Sequence, residues 1–267
     1  LVARVEYSNE VWNWDFPQAQ YADRMGKKLW PDNGTAWVQY FASRTDNMCR
    51  IWKEVFAGQE FRLRCLISPQ TGWRDLAETV LECPAWVRLH PEVGSCARHV
   101  DAINITGYFS GCLHQREAAL AEWLTEGREV ALDYAFEQLN HGGKLDDCED
   151  NLDHTIEGYQ FFAQLAVRRG LGLNVYEGGT HFEFSGRPDV KKLLVDMTRD
   201  VRMQEAYLRN FEGLRLAGGS VFNIWGWIAP NDTWANAENL LDRGHAKYKA
   251  VLKFTSEHAP AARGAAR

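Results

Sequence analysis

The stretch VEYSNEVWNW, residues 5–14, begins as a strand and ends as something else. Val5, Glu6 and Tyr7 suit a pleated, half-buried segment. Ser8-Asn9-Glu10 then set an amide and a carboxylate at the segment's end, and two indoles, Trp12 and Trp14, follow at once. In parallel α/β folds, functional side chains gather at the carboxyl ends of strands. What Glu10 does therefore depends on whether the rest of the chain builds such a sheet.

Four further segments read as strands: Phe61–Gln70, Val100–Phe109, Leu171–Gly179 and Ser220–Trp227, with the first at Val2–Ser8. Each is short, rich in β-branched or aromatic residues, and bounded by Gly, Pro or polar positions. Between them the apolar spacing is helical. Helices are expected over Phe16–Leu29 (with Asp15 as N-cap and Pro17 in the first turn), Ala36–Ala57, Asp75–Leu81, Glu117–Leu139, Leu152–Arg169, Pro188–Leu216 and Ala235–Phe254. Strands alternating with helices imply parallel pairing through crossover connections. Five strands fit a doubly wound sheet, whereas a (β/α)8 barrel needs eight.

The 267 residues are 45% hydrophobic and 25% charged, which is ordinary globular composition. A net charge of −6 argues against nucleic acid as a partner. No apolar run reaches the ~20 residues of a membrane span. The chain carries 11 Trp, 13 Phe and 9 Tyr, which suits either a large aromatic core or stacking on the C–H faces of sugar rings. The six cysteines fit no zinc spacing; Cys65 reads as a small core residue, and a Cys83–Cys96 bridge across a loop is one option. The phosphate-binding GxGxxG pattern is absent, so no dinucleotide cofactor is expected. The acidic run Leu145–His154 lacks calcium-loop spacing and reads as helix-capping residues, so no metal is expected either.

Across the five strand ends the polar groups are Asn9 and Glu10; Ser68 and Gln70; Thr106 and Tyr108; Glu177, Thr180 and His181; then Trp225 and Trp227. Two of these ends offer a Glu. Glycoside hydrolysis needs two carboxyls, one protonated to donate to the leaving oxygen and one ionised to attack or to activate water. Trp12 and Trp14 are expected to desolvate Glu10 and favour its acid form. Glu177, followed by Gly178-Gly179, is expected to be held ionised by backbone amides.

An Asn-Glu ending one strand, with a lone Glu ending the strand three places later, resembles the clan A glycoside hydrolases. These are retaining enzymes on a (β/α)8 barrel. VEYSNEVWNW, ITGYF and VYEGGTH also look like a poorly characterised bacterial group of such barrels. The resemblance covers residues 1 to about 230 and maps the five segments onto strands four to eight. It implies an α/β fold of TIM type, with residues 1–257 as the C-terminal portion of one catalytic barrel; 258–267, low in complexity, read as a disordered tail. It also implies that strands one to three lie in a longer gene product. By the same resemblance Glu10 is the acid/base and Glu177 the nucleophile. Asn9 contacts the sugar 2-hydroxyl, Tyr108 bonds the nucleophile, and Trp225 or Trp227 forms the platform under the sugar. Trp12, Gln70 and His181 complete the substrate-binding set.

The expected partner is a carbohydrate, with neither nucleic acid nor membrane involved; the oligomeric state stays open. Location stays open too, with a lean towards a secreted or periplasmic protein. A non-catalytic carbohydrate-binding protein would keep the tryptophans without the chemistry. An esterase would need an exposed serine on a GxSxG elbow, which the sequence lacks.

Overall fold

The computed structural model describes residues 1–31, 33–183 and 186–258. Of the tail expected to be disordered, 259–267 lie outside the described residues. The fold is α/β, built on a five-stranded parallel sheet of β1 (Ala3–Glu6), β2 (Leu63–Ile67), β3 (Ala102–Phe109), β4 (Gly172–Thr180) and β5 (Val221–Ile224). Strand order in space equals order in sequence. A doubly wound sheet reverses order at a switch point, so that alternative is set aside. The first pairings are parallel with Glu6 opposite Leu66 and Ile67 opposite Ile103. Interior strand β2 is apolar and buried at four of its five residues, as suits a parallel strand with neighbours on both sides. β1 and β5, at the two edges, are half-exposed.

The helices are α1 (Pro17–Leu29), α2 (Ala36–Val55), α3 (Arg74–Glu82), α4 (Pro84–Leu89), α5 (Glu117–Glu126), α6 (Arg128–His141), α7 (Leu152–Arg168), α8 (Pro188–Arg199), α9 (Val201–Leu216) and α10 (Ala246–His258). Several differ from the sequence expectation for local reasons. The 117–139 helix is two, broken at Gly127, whose φ of 124° only glycine adopts easily. The 188–216 helix is also two: Asp200 is extended and caps α9 by accepting from the Arg202 amide at 2.9 Å. The last helix starts eleven residues later than expected, because Asp242 Oδ1 holds a turn by accepting from the Gly244 and His245 amides. Asp15 does not cap α1; its amide donates instead to Asn13 Oδ1 in a local turn. α4 was not foreseen. It begins on Pro84, immediately after the left-handed Cys83.

Two compact units are present. The first comprises residues 1–106, 161–175 and 219–221. Here α2 lays Trp37, Val38, Phe41 and Cys49 into the core, and α1 approaches so closely that a side chain at Gly26 would strike the Ala36 backbone. Asp101 ties α2 to the sheet, pairing with Lys53 at 2.8 Å and accepting from the Cys65 amide at 2.7 Å. The Cys83–Cys96 bridge closes the α3–α4 region.

The second unit comprises 107–160, 176–218 and the described residues from 222 onward. Its core joins Phe109, Leu120, Phe136, Leu152, Leu194, Met203, Tyr207 and Phe211. Polar groups inside it are paired. Tyr159 Oη donates to Asn210 Oδ1 at 2.6 Å, and Asn210 Nδ2 donates to the Gly107 carbonyl at 3.1 Å. Asn210→Ala would remove both bonds and strand the buried Tyr159 hydroxyl, at a cost of about 3 kcal/mol. Urea unfolding should show that loss, while Tyr159→Phe should cost clearly less.

Candidate functional site

In the first unit, β1 ends at Glu6 because the chain turns sharply beyond it. Ser8 (φ 66°) and Glu10 (φ 44°) are both left-handed. Such backbone costs a non-glycine residue on the order of 1–3 kcal/mol and concentrates at functional sites. The turn closes with the Asn13 amide on the Glu10 carbonyl at 2.8 Å. Asn13 Nδ2 also donates to Glu10 Oε2 at 3.0 Å, so the buried Glu10 carboxyl is held by the amide that stands between Trp12 and Trp14. Asn9 is exposed, and its carbonyl accepts from Gln18 Nε2 at 2.7 Å. Trp12 is half-buried, with its Nε1 sealed from solvent and lacking a hydrogen-bond partner. Trp14 is 48% exposed and packs edge-on against buried Trp37, which in turn meets the exposed Trp73.

Sequence reading missed Glu6. Asn104 Nδ2, from the buried face of β3, donates to Glu6 Oε2 at 3.3 Å. Burial pushes the Glu6 carboxyl up to about 7; the Ser68 hydroxyl and Asn104 amide pull it down, and the nearby Glu10 charge adds to the rise. The expected strand ran on to Ser8, which put its polar end at Glu10, whereas β1 stops at Glu6 itself. Gln70, at the end of the β2 loop, is half-buried, and its Oε1 is shielded from solvent without a partner. Next to it, Thr71 Oγ1 accepts from the Thr106 amide at 2.9 Å, tying that loop to β3.

In the second unit, Glu177 lies within β4, three residues before the strand ends at Thr180, and is half-buried. The two glycines after it serve packing. A Cβ on Gly178 would come within 2.7 Å of the Gly107 carbonyl, and one on Gly179 within 2.5 Å of Tyr207 Oη. Tyr207 Oη accepts from the Thr180 amide at 3.0 Å, so α9 braces the end of the strand that carries Glu177.

Beyond that strand an aromatic cluster forms. The rings of Tyr108 and His181 are 5.4 Å apart, His181 and Trp234 5.2 Å, and Trp227 and Trp234 6.1 Å. Trp225 and Trp227 are nearly half-exposed. Sequence reading missed Trp234, which stands just before the expected helix and meets His181 and Trp227 only through the fold. Lys247, on α10, secures this loop by donating to the Thr233 carbonyl at 3.0 Å, and Thr233 Oγ1 donates to the Phe182 carbonyl at 2.6 Å. Burial brings the Lys247 ammonium down to about 7. His245 beside it is pushed down to about 4, chiefly by burial and then by the Lys247 charge.

The acidic run is engaged in protein contacts. Asp153 pairs with His141 and Arg209, and Asp150 accepts from the Gly111 amide at 2.7 Å. Among the described residues no three His, Cys, Asp or Glu side chains converge as a metal site requires. No described helix is long and apolar enough to cross a membrane.

The Glu6 environment fixes a pH dependence. Its folded-state affinity for a proton is raised, so its contribution to stability is complete below about pH 4.5 and is lost as pH rises through about 7. The loss amounts to about 3 kcal/mol. Glu6→Gln retains an acceptor for Asn104 but cannot ionise. It should match the parent protein at pH 4 and exceed it at pH 8 in chemical denaturation. An equal difference at both pH values would refute the assignment.

Compared with protein-family models, with curated proteins and with solved structures, the chain matches none.

Proposed function

We propose that the protein is a retaining O-glycoside hydrolase acting on a poly- or oligosaccharide, with its sheet supplying strands four to eight of a (β/α)8 barrel. The strand order carries this reading. With neighbours in space following sequence, Asn9-Glu10 stands just beyond β1 and Glu177 lies on β4, three strands on. The resemblance requires that interval between acid/base and nucleophile. Exposed indoles accompany both carboxyls in their own units, Trp14 and Trp73 in one and Trp225 and Trp227 in the other. They supply apolar faces on which sugar rings stack.

The chemistry is a double displacement. Glu10 gives its proton to the glycosidic oxygen while the Glu177 carboxylate attacks the anomeric carbon, releasing the leaving group and forming a glycosyl ester. Glu10, now ionised, takes a proton from water, which attacks the same carbon and frees Glu177. Anomeric configuration is retained and both carboxyls return to their starting states. In this scheme Tyr108 bonds the nucleophile, Asn9 the 2-hydroxyl, and Trp225 or Trp227 carries the sugar; Trp12, Gln70 and His181 are further contacts. Two disulfides suit an oxidising compartment, and so a secreted or periplasmic enzyme.

The test uses a panel of 4-nitrophenyl glycosides and soluble polysaccharides on the full chain. Glu177→Gln should lower turnover by about 10⁴-fold or more. Glu10→Gln should retain cleavage of the activated aryl glycosides, with azide restoring rate and yielding a glycosyl azide. Hydrolysis unchanged in Glu177→Gln would dismiss the nucleophile. Oligosaccharide binding without any hydrolysis would replace the enzyme reading with that of a carbohydrate-binding protein.

A further inference from the structure

The loop that bears Asp150 lies against the turn after β3. Cys112 and Cys148 are bridged, joining that turn to the segment just ahead of Asp150. Within this clasp the Gly111 amide donates to Asp150 Oδ2 at 2.7 Å, and Cys112 Sγ lies 3.8 Å from the Asp150 carbonyl. Gly111 is also where His181 arrives. A Cβ built on Gly111 would stand 2.5 Å from Asp150 Oδ2 and 2.8 Å from His181 Nδ1. One point in space is thus bordered by a carboxylate oxygen and an imidazole nitrogen, and only a glycine leaves both in place. Around them are the Tyr108 and Trp234 rings and His114, whose Nδ1 donates to the His181 carbonyl at 2.9 Å.

We propose that Asp150 is a positioning residue that fixes the His181 imidazole through its Nδ1 edge, and that the Cys112–Cys148 bridge delivers the carboxylate to it. A carboxylate at Nδ1 selects the tautomer with the proton there and leaves the lone pair on Nε2. The imidazole is then an oriented hydrogen-bond acceptor between two aromatic faces, suited to a hydroxyl of a ring stacked among them. That use rests on the glycosidase reading; the state of the imidazole does not. The charged and titratable groups around it are Asp150, His114 and Tyr108, with His154 acting on Asp150. Burial pushes the Asp150 carboxyl up, while the Gly111 amide and the two histidines, His181 and His154, draw it back.

A mere loop staple would account for the Gly111 hydrogen bond but would leave the imidazole indifferent to the carboxyl's charge. Ring ¹⁵N spectra of the full chain, labelled at histidine, with His181 assigned through His181→Gln, distinguish the two. The parent protein should show neutral His181 protonated at Nδ1. Asp150→Asn, which preserves shape, should mix the tautomers and move the titration midpoint to lower pH. Gly111→Ala should perturb the same signals by wedging a methyl between the partners. Unchanged His181 tautomer and midpoint in both variants would overturn the proposal. With Cys112 and Cys148 both replaced by Ser, the spectrum should resemble that of Asp150→Asn; a parent-like spectrum there would remove the bridge from the account. Since no sugar enters the measurement, a failure here is separate from a failure of the hydrolysis test.

Discussion

The close approach of two glycines sets the spacing on which the second unit depends. Gly107 of β3 and Gly178 of β4 leave no room for a side chain between the strands at the level of Glu177. Asn210 then occupies the Gly107 carbonyl, and Tyr207, one turn earlier on α9, takes the Thr180 amide. One helix therefore reads the backbone of two adjacent strands on either side of the carboxylate. Both α9 side chains are buried, so moving either would expose unpaired polar atoms to an apolar core. That stiffness is what the nucleophile proposed for Glu177 would need in order to attack a carbon at a fixed angle.

The first unit handles its carboxyls by a different principle. Glu10 is held through a strained turn and a neighbouring amide, while Glu6 is set by desolvation and by the Asn104 amide of β3. A carboxyl that titrates near neutrality next to a second one makes the local charge responsive over the working pH range of most enzymes. Lys247 and His245 repeat the pattern in the other unit, where burial rather than pairing decides protonation.

Much of the fold was legible because strand and helix periods differ and the segments are long. All five strands fall where alternating apolar and β-branched residues predict them, and parallel pairing followed from the helices between them. What sequence concealed were breaks set by single residues. Gly127 and Asp200 each divide a continuous apolar pattern, because a left-handed glycine and a side-chain cap act at one position while periodicity averages over many. The candidate site was legible only as positions along the chain: Tyr108 next to last in β3, His181 directly after β4, and Glu10 four residues past the end of β1. It was illegible where contacts are remote in sequence. Nothing in the run around Asp150 announces that a bridge to Cys112 carries it to His181, and nothing beside Trp234 announces that its ring meets the same imidazole.

The six cysteines divide into two chemical populations. Four are consumed by bridges that close chain segments of 13 and 36 residues, so each partner finds its mate within its own neighbourhood. Cys49 and Cys65 are buried against each other's segments, with Cys65 Sγ 3.9 Å from the Cys49 carbonyl. The Cys65 thiol and burial together push the Cys49 thiol up, keeping it protonated. Exchange requires a thiolate with access to a disulfide. Once α2 docks on β2, burial withdraws both surplus thiols from the pool that could scramble the native bridges. Folding itself thereby guards the native bridges against mispairing.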